Sequence, residues 1–308
     1  MAGAQHGGTI FVIIGPTASG KSALAMELAR KVSGAEILSV DSMQVYRGMD
    51  IGTAKPSAAE RAEIPHHLID VVDPNESFAV ATFVEQAEAV IAGARSRGVP
   101  LIVTGGTPLY FKSLFEGIFE GPGADEAIRA RLMVEETSEL HRRLQSIDPA
   151  AAQRIHLNDR RRLVRALEVF ELTGQPISSF QTHWKSQQPK FDASWFGLTW
   201  DREALNRRIN ARVKLMLADG WLGEARDLLT RYGMLSKTAG EATGYAELLA
   251  HLSGKCSLDE AVEQIKIATR QLARRQMKWF RRFPKVTWMD GQTDLAALCD
   301  AIRAACRI

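Results

Sequence analysis

The feature that most constrains the fold is a glycine-rich segment that matches the pattern G-x-x-x-x-G-K-[S/T] in full: Gly15-Pro16-Thr17-Ala18-Ser19-Gly20-Lys21-Ser22. A continuous apolar run at 9–14 precedes it, and apolar residues at helical spacing follow it. This order is typical of a buried parallel strand, a phosphate-binding turn and a helix. Because such a turn surrounds phosphate oxygens with backbone N–H groups, we predict that it binds a di- or triphosphate. Lys21 is expected at the terminal oxygens and the Ser22 hydroxyl at Mg²⁺.

Further strand patterns lie at 36–40, 101–104, 194–199 and 285–289, with helical patterns between the first three. Strands that alternate with helices predict a parallel α/β sheet. From residue 124 the chain offers no strand pattern for roughly seventy residues, and helices are predicted at 125–136 and 158–173. We therefore predict an α/β fold with a phosphate-loop-containing parallel sheet core flanked by helices, and an inserted all-helical domain. The expected limits are 1–119 for the first part of the core, 120–192 for the insertion and 193–308 for the second part.

Composition excludes several classes of protein. Hydrophobic residues make up 45% of the 308 residues, which argues against wholesale disorder, and no apolar run approaches the ~20 residues of a membrane span. Three cysteines without a CxxC pair fit neither a disulfide framework nor a four-thiolate zinc site. Residues 1–8 lack the basic and apolar stretches of a secretory leader. We expect a cytoplasmic protein, without a membrane partner, that is a monomer.

Asp41 follows the second predicted strand, at the sheet edge where α/β proteins place their ligands. It can help to hold Mg²⁺, or it can act as a general base beside the phosphates. It can also simply cap the next turn. Thr107, after the third strand in Gly105-Gly106-Thr107-Pro108, is placed either as a helix N-cap or as a hydroxyl at the same edge. Adjacent histidines at 66 and 67 point to opposite faces of a strand, so hydrogen-bonded or packed side chains are expected there rather than metal ligands.

Net charge is only +3, but basic residues are clustered. A helix predicted over 257–283 carries Lys266, Arg270, Arg274, Lys278 and Arg282 at intervals of four, and no acidic residue lies between 266 and 285. A second cluster in the predicted insertion comprises Arg154, Arg160, Arg161, Arg162 and Arg165. Surfaces of one sign at this spacing favour contact with a nucleic-acid backbone. Arg208 and Arg212 share one helix face and either clamp a diphosphate or are surface charge.

Several of these segments together resemble the tRNA isopentenyltransferase (IPP transferase) family, over nearly the whole chain. The resemblance is carried by the phosphate loop, by residues 41–56 (DSMQVYRGMDIGTAKP), by the Pro-His-His-Leu-Ile-Asp segment at 65–70 and by the Gly-Gly-Thr segment. It also includes Asn158-Asp159, Arg165-Ala166-Leu167-Glu168 and the segment from Arg274 to Arg281. The 41–56 segment is long enough to be close to diagnostic.

The resemblance implies Mg²⁺-assisted transfer of a dimethylallyl group from dimethylallyl diphosphate to N6 of the adenosine 3′ to the anticodon of a tRNA. Asp41 is then the general base, with Thr107 beside it, and Lys21 and the phosphate loop hold the leaving diphosphate with Arg208 or Arg212. The target base is expected to be flipped out of the anticodon stem-loop. The resemblance further implies tRNA contacts at Asp41, Ser42, Met43, Gln44, Thr107, Arg129, Arg161, Arg162, Arg165, Gly244, Tyr245, Arg274, Arg275, Gln276, Lys278, Trp279 and Arg281.

Two other classes of function fit part of the pattern. The phosphate loop alone favours an ATP-dependent small-molecule kinase, which has no use for the basic helix. The basic clusters alone favour a non-catalytic RNA-binding module, in which the phosphate loop is dispensable. Only the transferase uses both features.

Overall fold

The computed structural model describes residues 8–117, 121–180 and 189–307. Its strands form one parallel sheet in the spatial order β3-β2-β4-β1-β5-β6. They are β1 (Ile10–Ile14), β2 (Glu36–Ser39), β3 (His66–His67), β4 (Leu101–Gly105), β5 (Ser194–Thr199) and β6 (Val286–Asp290). The five strands predicted from the sequence are confirmed, and with them the α/β fold. The two-residue β3 is too short to show a period, so it was not among these five, although His66 and His67 were expected on a strand.

The described residues contain helices α1 (Lys21–Lys31), α2 (Ala58–Glu63), α3 (Val80–Ser96), α4 (Pro108–Glu116), α5 (Glu126–Met133), α6 (Thr137–Ile147), α7 (Pro149–Arg154), α8 (Arg160–Thr173), α9 (Ile177–Phe180), α10 (Arg202–Ala218), α11 (Trp221–Tyr232), α12 (Lys237–Gly240), α13 (Tyr245–Leu252), α14 (Leu258–Phe280) and α15 (Leu295–Cys306). The helix predicted at 125–136 ends earlier, at Met133, and α6 begins four residues later. The basic helix α14 also stops before the predicted residue 283, with Arg281 as its C-cap.

The chain divides into two compact units, residues 1–114 with 191–308 and residues 115–190. The first holds the whole sheet, and the described part of the second contains helices α5 to α9 and no strand. The limits expected from the sequence for the insertion were 120 and 192. This second unit is inserted between β4 and β5 and has a hydrophobic core of its own. Its helical structure explains why the sequence shows no strand pattern after residue 124.

The core of the α/β unit explains the continuous apolar run before the phosphate loop. All five residues of β1 are buried, because β1 lies inside the sheet between β4 and β5. On one face Phe11 and Ile13 pack in a cluster with Leu24 and Leu28 of α1 and Ile302 of α15. Burial of each such side chain is worth about 1.5–3 kcal/mol, so this cluster fixes α1 against the strand that precedes the loop.

The helical unit has a separate leucine-rich core, which includes Leu132, Leu144 and Leu163. At the start of α5, α7 and α8 the side chains of Asp125, Asp148 and Asp159 each accept a hydrogen bond from a backbone N–H of the first turn. Each such cap contributes roughly 1 kcal/mol to its helix. The helical unit is thus built of short helices, three of them capped by aspartate, around one apolar core.

Strand register brings three loops to one edge of the sheet. Ile14 at the end of β1 pairs with Gly105, and Ser39 at the end of β2 pairs with Thr104. The chain therefore leaves β1, β2 and β4 at nearly the same level. The segments that follow are the phosphate loop, Asp41 and Gly106-Thr107, and their juxtaposition at the carboxyl edge is typical of ligand sites in parallel sheets.

Other sequence expectations concern histidine, cysteine and membrane contact. His66 Nδ1 lies 2.7 Å from the Ile64 carbonyl oxygen and His67 Nε2 lies 2.7 Å from Glu36 Oε2, so the expectation of hydrogen-bonded histidines is confirmed. The three cysteines are free thiols. In the parts of the chain that are described, no helix combines the length and the hydropathy needed to cross a bilayer.

Candidate active site

The glycine-rich segment forms a tight turn between β1 and the N-terminus of α1. Gly20, which immediately precedes α1, has φ +92°, a left-handed conformation that L side chains rarely adopt. Gly15 is required for a different reason, because a Cβ there would lie 2.7 Å from the Ser19 hydroxyl oxygen. The two glycines of the motif therefore meet separate steric demands of one phosphate-loop geometry.

Side chains from outside the loop hold its carbonyl groups. Trp200 Nε1 donates to the Ser19 carbonyl at 3.0 Å, and Arg208 Nε donates to the Ala18 carbonyl at 3.0 Å. Within the described residues, the amides of Ala18, Gly20, Lys21 and Ser22 donate to no protein acceptor. Unpaired N–H groups at a helix N-terminus form a ready site for an anion. The Ser19 hydroxyl is also buried and has no partner in the described chain.

The loop that carries Asp41 is bonded to the loop that carries Thr107. Asp41 Oδ1 accepts the Met43 amide at 2.9 Å, which leaves Oδ2 directed elsewhere. Thr107 Oγ1 accepts the Ser42 amide at 3.0 Å and donates to the Ser42 hydroxyl at 3.2 Å. Thr107 precedes Pro108 at the start of α4, as predicted, but its hydroxyl ties the two loops together instead of capping the helix.

Three polar groups converge on one face of Gly106. A methyl group at Gly106 would lie 2.8 Å from Gln276 Nε2, 3.4 Å from Asp41 Oδ2 and 3.8 Å from Lys21 Nζ. A carboxylate, an ammonium and a side-chain amide thus lie within 4 Å of one point beside Gly106. The structure brings together Lys21, Asp41 and Thr107, the three residues that the sequence predicted as catalytic.

Burial lowers the pKa of Lys21 from 10.5 to about 8; the Asp41 carboxylate opposes this change and the Arg212 charge adds to it. Burial likewise lowers the pKa of Arg212, against the opposing effect of Asp41 and with a smaller contribution from Arg208. Burial first, then nearby Tyr46 and Asp41, raise the pKa of Tyr110. Two partly desolvated cations therefore lie near one carboxylate, with an excess of positive charge that an anionic ligand would balance.

The two arginines of α10 have different surroundings, which the sequence left undecided. Arg208 is occupied by the Ala18 carbonyl, and its guanidinium carbon lies 4.4 Å from the centre of the Trp200 ring. Arg212 is the one coupled electrostatically to Lys21 and Asp41. Arg208 therefore supports the backbone of the phosphate loop through its Nε–H.

The segment after Asp41 is held by residues that sequence reasoning missed. The Glu224 carboxylate accepts the amides of Asp50, Ile51 and Gly52 at 2.8, 2.7 and 3.2 Å. Lys55, whose side chain is 1% exposed, donates to the Tyr46 carbonyl at 2.8 Å and pairs with Asp50 and Asp70 at 2.5 and 2.6 Å. Glu224 lies more than 170 positions from its partners, so no local pattern reveals it.

The structure does not support three of the tRNA contacts that the resemblance implied. Gln44 is buried, and its side chain bonds to the Ser39 hydroxyl and to the carbonyls of Thr53 and Ala54. Tyr245 is fully buried and donates to Glu224 at 2.5 Å. A Cβ at Gly244 would meet the Trp221 ring at 2.0 Å. Gln44 and Tyr245 thus bond inside the protein, where they help to hold the 41–55 segment in place.

Helix α14 has two faces, which separate the remaining implied contacts. Ala273, Gln276 and Phe280 are buried, and Trp279 is half-buried. The exposed basic residues of its second half and C-cap are Arg274, Arg275, Lys278 and Arg281. Lys266 pairs with Glu263, and Arg270 donates to Asn210. The predicted basic stripe is therefore exposed over only its second half.

In the helical unit, Arg161 and Arg162 on α8 are exposed. Arg129 and Arg165 instead pair with the fully buried Glu168, at 2.8 Å each. Burial disfavours the charge of Glu168, but hydrogen bonds from Arg165, the Asp125 amide and Arg129 lower its pKa overall. These two arginines thus have a structural partner that the sequence did not indicate.

The fold and the site together define a P-loop α/β protein whose pocket combines a phosphate-binding turn with a carboxylate, a lysine and an arginine. Comparison with known proteins gives the family. A model described as IPP transferase matches residues 44–283, and one described as isopentenyl transferase matches residues 8–70.

Individual relatives agree over most of the chain. A tRNA dimethylallyltransferase from Geobacter metallireducens is 49% identical, with 91% of this chain and 92% of the relative covered. One from Pelotomaculum thermopropionicum is 46% identical, with 95% and 93% covered. Among solved structures, the tRNA isopentenylpyrophosphate transferase of Bacillus halodurans has a TM-score of 0.73 at 38% identity, covering 97% of this chain and 95% of that one. A eukaryotic dimethylallyltransferase acting on tRNA has a TM-score of 0.79 at 30% identity, covering 96% and 77%.

The chain therefore belongs to the IPP transferase family. The expectation that it is an enzyme, a prenyltransferase, is confirmed by these relatives.

Proposed function

We propose that this protein transfers a dimethylallyl group from dimethylallyl diphosphate to the exocyclic N6 of the adenosine 3′ to the anticodon of a tRNA, and releases diphosphate. The observation that carries the proposal is the convergence of Asp41 Oδ2 and Lys21 Nζ around Gly106, directly beside the phosphate loop. A leaving diphosphate needs cations and free N–H groups, and an amine nucleophile needs a proton acceptor. The pocket offers both within one space.

The diphosphate would bind to the unpaired amides of Gly20, Lys21 and Ser22. Lys21, whose pKa burial lowers to about 8, would supply positive charge where the C–O bond breaks. Arg212, which shares the field of Lys21 and Asp41, would supply the second charge. Preorganised cations of this kind stabilise charge that develops on a leaving group, at no cost in reorganisation.

Asp41 would act as the base. The lone pair of adenine N6 is delocalised into the ring, so its attack on the allylic C1 becomes easier as a proton is removed. The new N–C bond forms as the bond from C1 to the diphosphate oxygen breaks, and the N6 proton passes to Asp41 Oδ2. Such proton transfer typically contributes about 10²–10⁴ in rate. Thr107, bonded to Ser42, would hold the Asp41 loop and the Gly106 loop at fixed separation.

Mg²⁺ fits the donor set as a metal held mainly by the substrate. Among the described residues no group of three or more His, Cys, Asp or Glu side chains could hold a metal ion. The Ser22 hydroxyl is exposed in the first turn of α1, where it can supply one oxygen. Mg²⁺ prefers one or two protein oxygens together with phosphate oxygens and water. When bound, it would neutralise part of the diphosphate charge.

The exposed arginines and lysine of α14 would contact the phosphates of the tRNA, and so would Arg161 and Arg162 of α8. A stacked anticodon base cannot enter a pocket at a sheet edge, so the target adenosine would be flipped out. Single-stranded loops whose bases can be splayed out are the usual targets of sequence-specific RNA recognition.

The test is incubation of the protein with dimethylallyl diphosphate labelled in the prenyl group, Mg²⁺ and unmodified tRNA that carries adenosine 3′ to its anticodon. Label in the tRNA at that adenosine is expected. A parallel reaction with ATP and no prenyl donor examines the kinase alternative. ATP turnover without RNA labelling would refute the transferase and favour the kinase, and tRNA binding without either reaction would favour the non-catalytic RNA-binding module.

A further inference from the structure

One buried amide on the basic helix connects two loops of the site. Gln276 lies on α14 and is 7% exposed. Its Oε1 accepts the Thr17 amide of the phosphate loop at 2.8 Å, and its Nε2 donates to the Gly106 carbonyl at 2.6 Å. Because the Thr17 amide can only donate and the Gly106 carbonyl can only accept, the orientation of the side-chain amide is fixed. Both ends of Gln276 are therefore used on the backbone of the site.

The helix that carries Gln276 is itself fixed at this point. Ala273, one turn before, packs in a cluster with Ala18 of the phosphate loop and Ile209 of α10. Phe280, one turn after, packs edge-on against Phe111 of α4, with ring centres 5.9 Å apart. The amide thus extends from an anchored stretch of helix, and it transmits the position of that helix to the loops.

We infer that Gln276 is a positioning residue, which sets the distance between the phosphate loop and the Gly106-Thr107 loop through its two hydrogen bonds. This inference deepens the proposed function, on which it rests, and it reassigns a residue for which the resemblance implied a tRNA contact. Through Thr17 it fixes where the diphosphate binds. Through Gly106 it holds the backbone beside which Asp41 Oδ2 and Lys21 Nζ lie, both on the same face of that glycine.

The chemistry of the side chain explains why glutamine suits this role. Glutamate keeps the acceptor for Thr17 but loses the donor for Gly106. Methionine has similar length and neither group. Asparagine is one methylene shorter. A residue that must accept from one backbone and donate to another across this gap has few alternatives. A tRNA contact would not require a side chain that both accepts from one loop and donates to another. It would also require an exposed side chain, whereas that of Gln276 is buried.

The experiment compares Gln276→Met with Gln264→Met, a matched control that removes an exposed glutamine about three turns earlier on α14. Three quantities are measured: calorimetric binding of inorganic pyrophosphate with Mg²⁺, binding of tRNA, and kcat with KM for the prenyl donor. For Gln276→Met we expect pyrophosphate affinity and kcat each to fall about tenfold or more, with tRNA affinity within about twofold of wild type. For Gln264→Met all three quantities should stay within about twofold.

Loss of tRNA affinity with unchanged pyrophosphate binding would overturn the inference and make Gln276 a tRNA contact, and no change in any quantity would overturn it as well. If Gln276→Met fails to fold, Gln276→Glu serves instead, and it should lose pyrophosphate affinity because its carboxylate faces the Gly106 carbonyl. The pyrophosphate measurement does not depend on turnover. If the wild-type protein bound pyrophosphate but labelled no tRNA, the proposed function would be refuted. The role of Gln276 would then be decided by the pyrophosphate affinities of the variants alone.

Discussion

Replacement of Lys21 by methionine should make the ligand-free protein more stable while it weakens the binding of phosphate groups at the site. Burial lowers the pKa of Lys21 from 10.5 to about 8, so the folded state disfavours the charged ammonium. A tenfold change in an acid dissociation constant corresponds to about 1.4 kcal/mol, and the lowered pKa therefore corresponds to about 3 kcal/mol. Methionine has similar length and no charge, so Lys21→Met should recover up to about 3 kcal/mol at pH 7.

The difference in stability between Lys21→Met and wild type should depend on pH. Below pH 8 the amine is charged in both the folded and the unfolded chain, and its full penalty opposes folding. Between pH 8 and 10.5 the folded amine is neutral while the unfolded one is still charged, so the wild type gains stability relative to the variant. The advantage of Lys21→Met should fall from about 3 kcal/mol at pH 7 to less than half of that at pH 9.5.

The assay is urea unfolding followed by tryptophan fluorescence. Five of the six tryptophans belong to the unit that holds the site, so the signal reports chiefly on that unit. Lys214→Met, at an exposed lysine of α10, is the matched control and should change stability by less than about 0.5 kcal/mol. A Lys21→Met protein that is less stable than wild type, or whose difference does not vary with pH, would refute this explanation of the site. Calorimetry should in addition show weakened pyrophosphate binding.

Three further perturbations examine other parts of the account. Asp41→Asn should lower single-turnover transfer by about 10²-fold or more and leave tRNA affinity nearly unchanged in filter binding; equal losses in both would make Asp41 a binding residue. Joint replacement of exposed Lys278 and Arg282 by alanine should reduce the slope of log K for tRNA against log salt by about 0.7 for each lost phosphate contact, and an unchanged slope would place them outside the interface. Gly52→Ala should cost about 2–3 kcal/mol in urea unfolding, because its Cβ would lie 2.1 Å from Trp221 Nε1. Gly223→Ala on α11, where a Cβ meets nothing within 4 Å, is its control and should be neutral or stabilising by up to about 1 kcal/mol.

The parts of the site that the sequence predicted are those encoded locally. The phosphate loop is continuous in sequence, with its strand before it and its helix after it. Asp41 and Thr107 each follow directly on a strand, so the parallel sheet brings them together once the strands are recognised. The juxtaposition of Lys21, Asp41 and Thr107 follows from that topology alone.

Long-range contacts explain what the sequence did not reveal. Gln276 is 259 positions from Thr17, and the bond from Trp200 to the loop spans 181. The Glu224 carboxylate likewise accepts amides more than 170 positions away. Lys55 and Gln44 bond to partners only 5 to 15 positions away, but most of these lie in an irregular loop segment that shows no period. A motif match assigned Gln44 and Tyr245 to tRNA, because a pattern of residue types does not tell which side of a helix or loop faces the core. The half-buried basic residues Lys266 and Arg270 illustrate the same point on α14.

The central claim is that the pocket between the glycine turn and Asp41 releases diphosphate as an alkyl group moves to a purine nitrogen. The most direct measurement quantifies pyrophosphate and N6-alkylated adenosine in one reaction of the wild-type protein with tRNA, Mg²⁺ and the prenyl diphosphate. The account predicts equal molar amounts, with every alkyl group on the adenosine 3′ to the anticodon. Pyrophosphate formed without alkylated tRNA, or alkylation on another atom, would contradict it.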